Sequence, residues 1–431
     1  MKHKATDEVA DSMPSVFDGL STPTEGKVLP LLRPIHRFLY PRVTDSRFCA
    51  YVMRWQRLCG IHSNGNITNP VLHAYFCLAS MLGDEIFYLF PLLVWLAFPL
   101  ALSVTINMGI LLPLGQLFKD LLHLPRPPRT FSYAGKQEII VKLENAYGTE
   151  YGMPSTHAMS GSLIFCVMHA IYRMQGCILE KETPAFLMLG VPAHWAALGA
   201  FVTLSVCASR LYMGVHSVAD LFVGLCLSGF VQWLMLGCGL EQRLSSLLYN
   251  STYGPLFPLL AILLFVKFYP ATTPWSKSYA TASELFGLST ALSVSYWVAL
   301  RRLPQIGVFL VQTSIVTDYC SPTALQAGNP KNFIEWRSLG ARLALGGALT
   351  AATRLVAKHF FTVVLVRLVR LGWTVVPSAQ EIDTEGKLVP LEKSYVVEPP
   401  RRILGLLCTV SMCVLGVPML WAKLGMVPSS V

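Results

Sequence analysis

Charge is scarce in this chain: Asp, Glu, Lys and Arg make up 13% of its 431 residues, against roughly 25% in an ordinary globular protein. With 53% hydrophobic residues, that shortage makes a polytopic membrane protein the default class. Order among the cysteines is also missing. The eleven mostly sit singly inside apolar stretches without CxxC pairs, which leaves no basis for a zinc site or a disulfide framework. Clustered positive charge is absent too. The net charge of +10 is scattered among apolar runs, which argues against a nucleic-acid partner and suits anionic headgroups or a phosphate substrate. No apolar core follows the charges of the first 30 residues, so no signal peptide is expected. The chain ends Val-Pro-Ser-Ser-Val rather than in a retrieval signal, and location has to be inferred another way. Neither an internal repeat nor the strand alternation of a barrel is present.

What the sequence does have is a series of apolar windows, and crossing a bilayer takes about 20 residues. Spans are expected near 72–98, 100–118, 157–175, 185–208, 215–240, 253–268, 281–300, 304–319, 340–366 and 402–424. The windows near 253, 304 and 340 are the weakest, two because they are short and the last because it holds Arg342, Arg354 and Lys358. The expected fold is an all-α membrane bundle of eight to ten helices. Residues 1–70 read as a polar, partly disordered tail, 71–245 as a catalytic core and 246–431 as C-terminal transmembrane helices. Two polar connections, from Lys119 to Pro154 and from Ser209 to Asp220, fall on one membrane face if the spans alternate.

Three clusters lie on that face. Lys119 and Arg126 are seven residues apart, two helical turns, so both can grip one phosphate while the helix lasts. A snorkelling span end and an ordinary loop would account for the pair as well. Pro154-Ser155-Thr156-His157 opens an apolar run, where free backbone N–H groups and hydroxyls can hold an anion, or where Ser155 and Thr156 simply cap a helix. His157 then sits beside the anion, or is an interfacial histidine. Finally, His216 and Asp220 are spaced i, i+4, so on a helix the carboxylate would fix the imidazole tautomer; a structural His–Asp tie is the competing reading. Arg210 adds a third cation, with a fork that fits phosphate oxygens.

The order Lys-x6-Arg-Pro, Pro-Ser-x-His, Ser-Arg-x5-His-x3-Asp resembles the type 2 phosphatidic acid phosphatase superfamily, which includes haloperoxidases. Arg54 to Gly60, Gly83 to Tyr88, Glu150 to Gly161 and Leu204 to Asp220 are similar to its sphingosine 1-phosphate phosphatase branch. That resemblance implies a haloperoxidase-like core with His216 as nucleophile, His157 as general acid and base, and Asp220 as orienter. It implies a phosphate held by Lys119, Arg126, Ser155, Thr156, Arg210 and the backbone near Gly214. The substrate implied is a sphingoid base phosphate in the endoplasmic reticulum membrane. The connection from Pro127 to Leu143 departs from the branch in length, which bears on substrate preference.

No metal or cofactor is expected, because three cations and helix-end dipoles supply the positive charge and only Asp120 and Asp220 are read as acids near the motifs. A broad lipid phosphate phosphatase, a lipid transporter and a pseudoenzyme are the competing functions. Two spans before Lys119 put the basic tail on the catalytic face, which runs against the positive-inside tendency if that face is lumenal. The sequons at Asn66 and Asn250 fall on opposite sides of this layout.

Overall fold

The computed structural model describes residues 28–84, 94–95, 97–144, 150–179, 192–270, 272, 275–312, 336–373, 381 and 387–426. Parts of three expected spans, residues 85–93 and 96, 185–191 and 313–319, lie outside them. The architecture is a helical bundle. Five helices are long and apolar enough to cross a membrane: Leu100–Leu122, Ala193–Tyr212, Val218–Gly237, Leu339–Arg370 and Glu398–Lys423. The chain is therefore a multi-pass membrane protein.

The chain enters through α1 (Arg33–Thr44), α2 (Ser46–Leu58) and α3 (Pro70–Asp84). Residues 33–58, expected in a polar tail, are thus two packed helices. Cys49, Val52, Met53 and Gln56 are all buried, and their spacing of three and four residues forms one helix face.

The central helix is α4 (Phe98–Leu122). It packs closely on α11 (Ser278–Arg302) because Gly109 lies against Ser289, whose Cβ would be 2.3 Å from any added methyl group. The next contact repeats the device: Gly287 of α11 lies against the Cα of Ile403 in α14 (Glu398–Ser411). Small residues let helix backbones approach in an apolar medium, where dispersion rather than water drives packing. Leu111, Leu285, Leu288, Leu292, Leu406 and Val410 fill the core around these seams.

The window expected near 157–175 is broken at Leu163 into α5 (Thr156–Ser162) and α6 (Ile164–Leu179), followed by α7 (Ala193–Tyr212) and α8 (Val218–Gln232). After α9 (Leu240–Asn250) comes α10 (Leu256–Phe268). Its 13 residues extend about 20 Å, short of a hydrocarbon core of about 30 Å. Past α12 (Pro304–Gln312), α13 (Trp336–Arg370) is 35 residues long, and Leu355, Val356 and Phe360 on it are exposed. Of the charges that weakened this window, Arg342 is buried, Arg354 pairs with Glu284 of α11, and Lys358 is exposed. A short α15 (Val417–Lys423) closes the described chain.

The polar connection after α4 holds the one sheet among the described residues. Strands β1 (Thr130–Tyr133) and β2 (Lys136–Ile139) pair antiparallel through the turn residues Ala134 and Gly135. Both turn residues have positive φ, 52° and 76°, as a two-residue hairpin turn matched to strand twist requires. Gln56 clasps this hairpin to the bundle. Its amide donates to the carbonyls of Val141 (2.7 Å) and Tyr212 (2.9 Å) and accepts from the Val141 N–H (3.0 Å).

Candidate active site

The end of α4, the start of α5 and the junction of α7 with α8 meet under this hairpin. Helix α4 stops at His123, a left-handed residue whose N–H donates to the Lys119 carbonyl. The chain then turns, and Lys119 and Arg126 converge through that turn rather than along a shared helix face as the spacing suggested. Lys119, Arg210 and His216 are at most 1% exposed. Charged groups this deeply enclosed need partners.

Two of those partners are glutamates that were not anticipated. Glu150 accepts from Lys119 Nζ at 3.0 Å and lies 3.7 Å from Arg126. Glu144 takes both terminal nitrogens of Arg210, each at 3.1 Å. Reading Asp120 and Asp220 as the only nearby acids was therefore wrong. Asp120 faces the other way and accepts from Tyr269 OH at 2.9 Å. An acid in a polar loop ordinarily faces solvent and carries no periodic signal. The available clue was position, since Glu150 directly precedes the Tyr151–His157 motif.

The two imidazoles share this space. The rings of His157 and His216 lie 6.4 Å apart, centroid to centroid, tilted by 54°, near enough for one phosphate group to touch both. Arg126 ties His216 to the cradle, with Nη1 3.3 Å from His216 Nε2 and 3.1 Å from the Val215 carbonyl. Lys119 also donates to Thr156 Oγ1 at 3.2 Å. On the His157 side, Gly83 of α3 packs against the ring: a Cβ there would lie 3.0 Å from the imidazole.

His216 and Asp220 do not share a helix turn as their spacing implied. His216 lies in the loop before α8, Ser217 is the N-cap, and Asp220 completes a capping box with it. Asp220 Oδ2 accepts from the Ser217 N–H at 2.7 Å and stands 3.5 Å from His216 Nδ1, wider than an ordinary hydrogen bond. Ser155 caps α5, its Oγ accepting from Ala158 N, while its own N–H donates to the Asp220 carbonyl (3.1 Å). The N–H of Gly214 donates to Leu211 O (3.0 Å) instead of being offered to a ligand. Its role is clearance: φ is 71° and a Cβ would sit 2.3 Å from the Val141 carbonyl. Lys142 fixes the same loop, donating to the carbonyls of Pro127 and Gly214 (both 2.6 Å).

These contacts set the charge states. Burial, reinforced by the charges of Arg126 and Arg210, holds His216 well below the ordinary histidine range, so it is neutral at physiological pH. Burial lowers Arg126 to about 10, against the opposing pull of Glu150. For Glu150, burial acts upward but the charges of Lys119 and Arg126 win, holding it at about 2. The resulting chamber has a neutral nitrogen beside an arginine, a second imidazole across from it, and cations occupied by carboxylates. It can receive an anionic group that displaces or joins those carboxylates.

Residues 90–243, which include the two imidazoles and the three cations, match the PAP2 superfamily. Sphingosine-1-phosphate phosphatase 1 of Mus musculus is 29% identical over 247 residues, covering 56% of this chain and 52% of its own. The Rattus norvegicus protein of the same name is 30% identical over 230 residues, 53% and 48% of the two chains. Sphingosine-1-phosphate phosphatase 2 of Mus musculus is 27% identical over 260 residues, 57% and 66%. The chain thus spans about half the length of the first two of these relatives. No solved structure matches it. The region that holds the clustered histidines and cations is thus similar to the PAP2 superfamily, and the chain resembles its sphingosine 1-phosphate phosphatase branch.

Proposed function

We propose that the chain hydrolyses sphingosine 1-phosphate and related sphingoid base 1-phosphates to the sphingoid base and inorganic phosphate through a phosphohistidine. The observation that carries this reading is the placement of neutral His216, with Nε2 against Arg126, across a phosphate-sized gap from His157. Lys119, Arg126 and Arg210 bind the phosphate oxygens and stabilise the charge that gathers on them as the ester bond breaks. Thr156 and the loops fixed by Ser155 and Gly214 line the same cradle. An incoming phosphate draws Arg126 off His216 Nε2, freeing that lone pair to attack phosphorus in line. His157 protonates the departing lipid oxygen, then takes a proton from the water that cleaves the phosphohistidine and restores both rings. Asp220 steadies the Nδ1 side of His216 and offsets its charge once phosphorylated.

In this reading the core formed by residues 71–245 is haloperoxidase-like and sits within a bundle of eight to ten spans. Residues 246–431 brace it, and the 1–70 segment contributes α1 and α2 to its edge. Purified protein in detergent should release phosphate from sphingosine 1-phosphate faster than from phosphatidic or lysophosphatidic acid, with no loss in EDTA. Equal rates on all three lipids would leave a broad lipid phosphatase; no release from any would end the phosphatase reading and favour a transporter on the same scaffold.

The proposed location is the endoplasmic reticulum membrane with the catalytic end lumenal. Ile61, in the loop that carries the Asn66 sequon, packs with Met213 and Val215 near the site, while Asn250 accepts at its carbonyl from Arg301 near the far end of α11. Glycosylation at Asn66 and not at Asn250 is expected in microsomes; the reverse pattern would put the site on the cytosolic side.

A further inference from the structure

A cradle meant for a phosphate dianion alone gains most from unopposed cations, yet here Lys119, Arg126 and Arg210 are faced by Glu144 and Glu150. Each carboxylate near a dianion costs affinity by like-charge repulsion. That arrangement favours a ligand carrying a cation of its own next to the phosphate. A sphingoid base 1-phosphate does: its ammonium is on the carbon beside the ester carbon. Phosphatidic and lysophosphatidic acids have no such group.

The two glutamates differ in what they can do. Glu150 bridges Lys119 and approaches Arg126, where phosphate oxygens are to bind, so an incoming phosphate competes with it. Glu144 stands to one side. Its Oε1 accepts from Ser80 Oγ at 3.3 Å and Arg210 Nη1 at 3.1 Å, while Oε2 accepts only from Arg210 Nη2 among the described residues. A carboxylate oxygen accepts two such bonds, so Oε2 retains one acceptor direction. Ser80 and Gly83 lie on the same helix, α3, one turn apart, and Gly83 packs against His157. Glu144 is therefore on the leaving-group side of the chamber, and its side chain is 26% exposed, against 16% for Glu150.

Building on the phosphatase reading above, we propose that Glu144, held by Arg210 and Ser80, accepts a hydrogen bond from the substrate's ammonium group and so selects amine-bearing lipid phosphates. Arg210 then serves both ends of the headgroup, orienting Glu144 while facing the phosphate.

The test compares kcat/KM for sphingosine 1-phosphate with that for lysophosphatidic acid in the full-length protein and in Glu144→Gln, which keeps the shape and removes the charge. The ratio of the two should fall about tenfold in the variant, whatever happens to overall activity. An unchanged ratio overturns the proposal. If the variant does not fold, the wild-type protein carries the test with an analogue of sphingosine 1-phosphate bearing hydroxyl in place of the amine. Its kcat/KM should drop about tenfold; an equal kcat/KM would sink the selection by Glu144 while leaving the phosphatase standing. Absence of phosphate release from every lipid phosphate would instead bring down the underlying reading, and this one with it.

Discussion

Two networks of arginine and glutamate lie within this bundle, and their contrast shows what separates a site from a brace. At the hairpin end, Lys119, Arg126 and Arg210 meet Glu144 and Glu150 around two imidazoles. Among the C-terminal helices, Arg354 and Arg402 share Glu284, and Glu398 takes Arg401 and Arg402. The second network joins α11, α13 and α14, all regular helices, and Arg402 reaches Glu398 one turn away at 2.6 Å. Such a tie fixes how helices pack. In the first network Arg126, Glu144 and Glu150 come from non-helical chain between elements, which can give way to a ligand. Ion pairs in an apolar protein therefore do not by themselves mark chemistry. Loop-borne partners around a neutral imidazole are what the proposed site has and the C-terminal network lacks.

The sharpest way to break the contrast is His216→Ala. Phosphate release should fall by at least about 10³-fold, with the melting temperature in detergent essentially retained; near-normal turnover would end the nucleophile assignment. Next come matched arginine deletions. Arg126→Ala should lower kcat/KM on the order of 10²-fold, whereas Arg402→Ala should leave kcat/KM within about twofold and lower stability by about 1–2 kcal/mol, read as a drop in melting temperature. Part-exposure of Arg354 and Glu284 keeps that second figure small. Comparable kinetic losses in both would erase the distinction.

The smallest effect is a pH response. Glu150 is held at about 2 in the folded protein, below its ordinary value of about 4.5. Its stabilisation is therefore present above the ordinary value and lost as pH falls from there toward 2. His216 adds to the acid loss, because below its ordinary range the unfolded chain takes a proton that the buried ring refuses. Melting temperatures should begin to decline below about pH 6.5 and fall further below about pH 4.5, and Glu150→Gln should decline less steeply over the lower range. Parallel curves would mean that the carboxylate is not held by Lys119 and Arg126 as described.

Much of the site was readable before any coordinates. Lys119, Arg126, His157, Arg210 and His216 do converge, because each flanks an apolar run and span ends on one face must meet. What escaped was set by tertiary contact. Nothing local distinguishes Glu144 from a solvated loop acid, Glu150 is marked only by its place before Tyr151, and the i, i+4 spacing of His216 and Asp220 suggested a helix that begins only at Val218. The α1–α2 pair was hidden differently: the average polarity of that stretch masked a regular apolar face at Cys49, Val52 and Met53. Periodicity rather than mean hydropathy would have found it.

One carboxamide carries a consequence for how this protein can vary. Because Gln56 is bonded at once to Val141 in the hairpin segment and to Tyr212 just ahead of the His216 loop, α2 acts as a footing for the His216 ring. Trp55, which donates to the Ala208 carbonyl, and Arg54 and Arg57, which reach Tyr133 and Glu138 of the hairpin, join the same footing, so the loop that carries His216 is fixed from outside the spans as well as from within them.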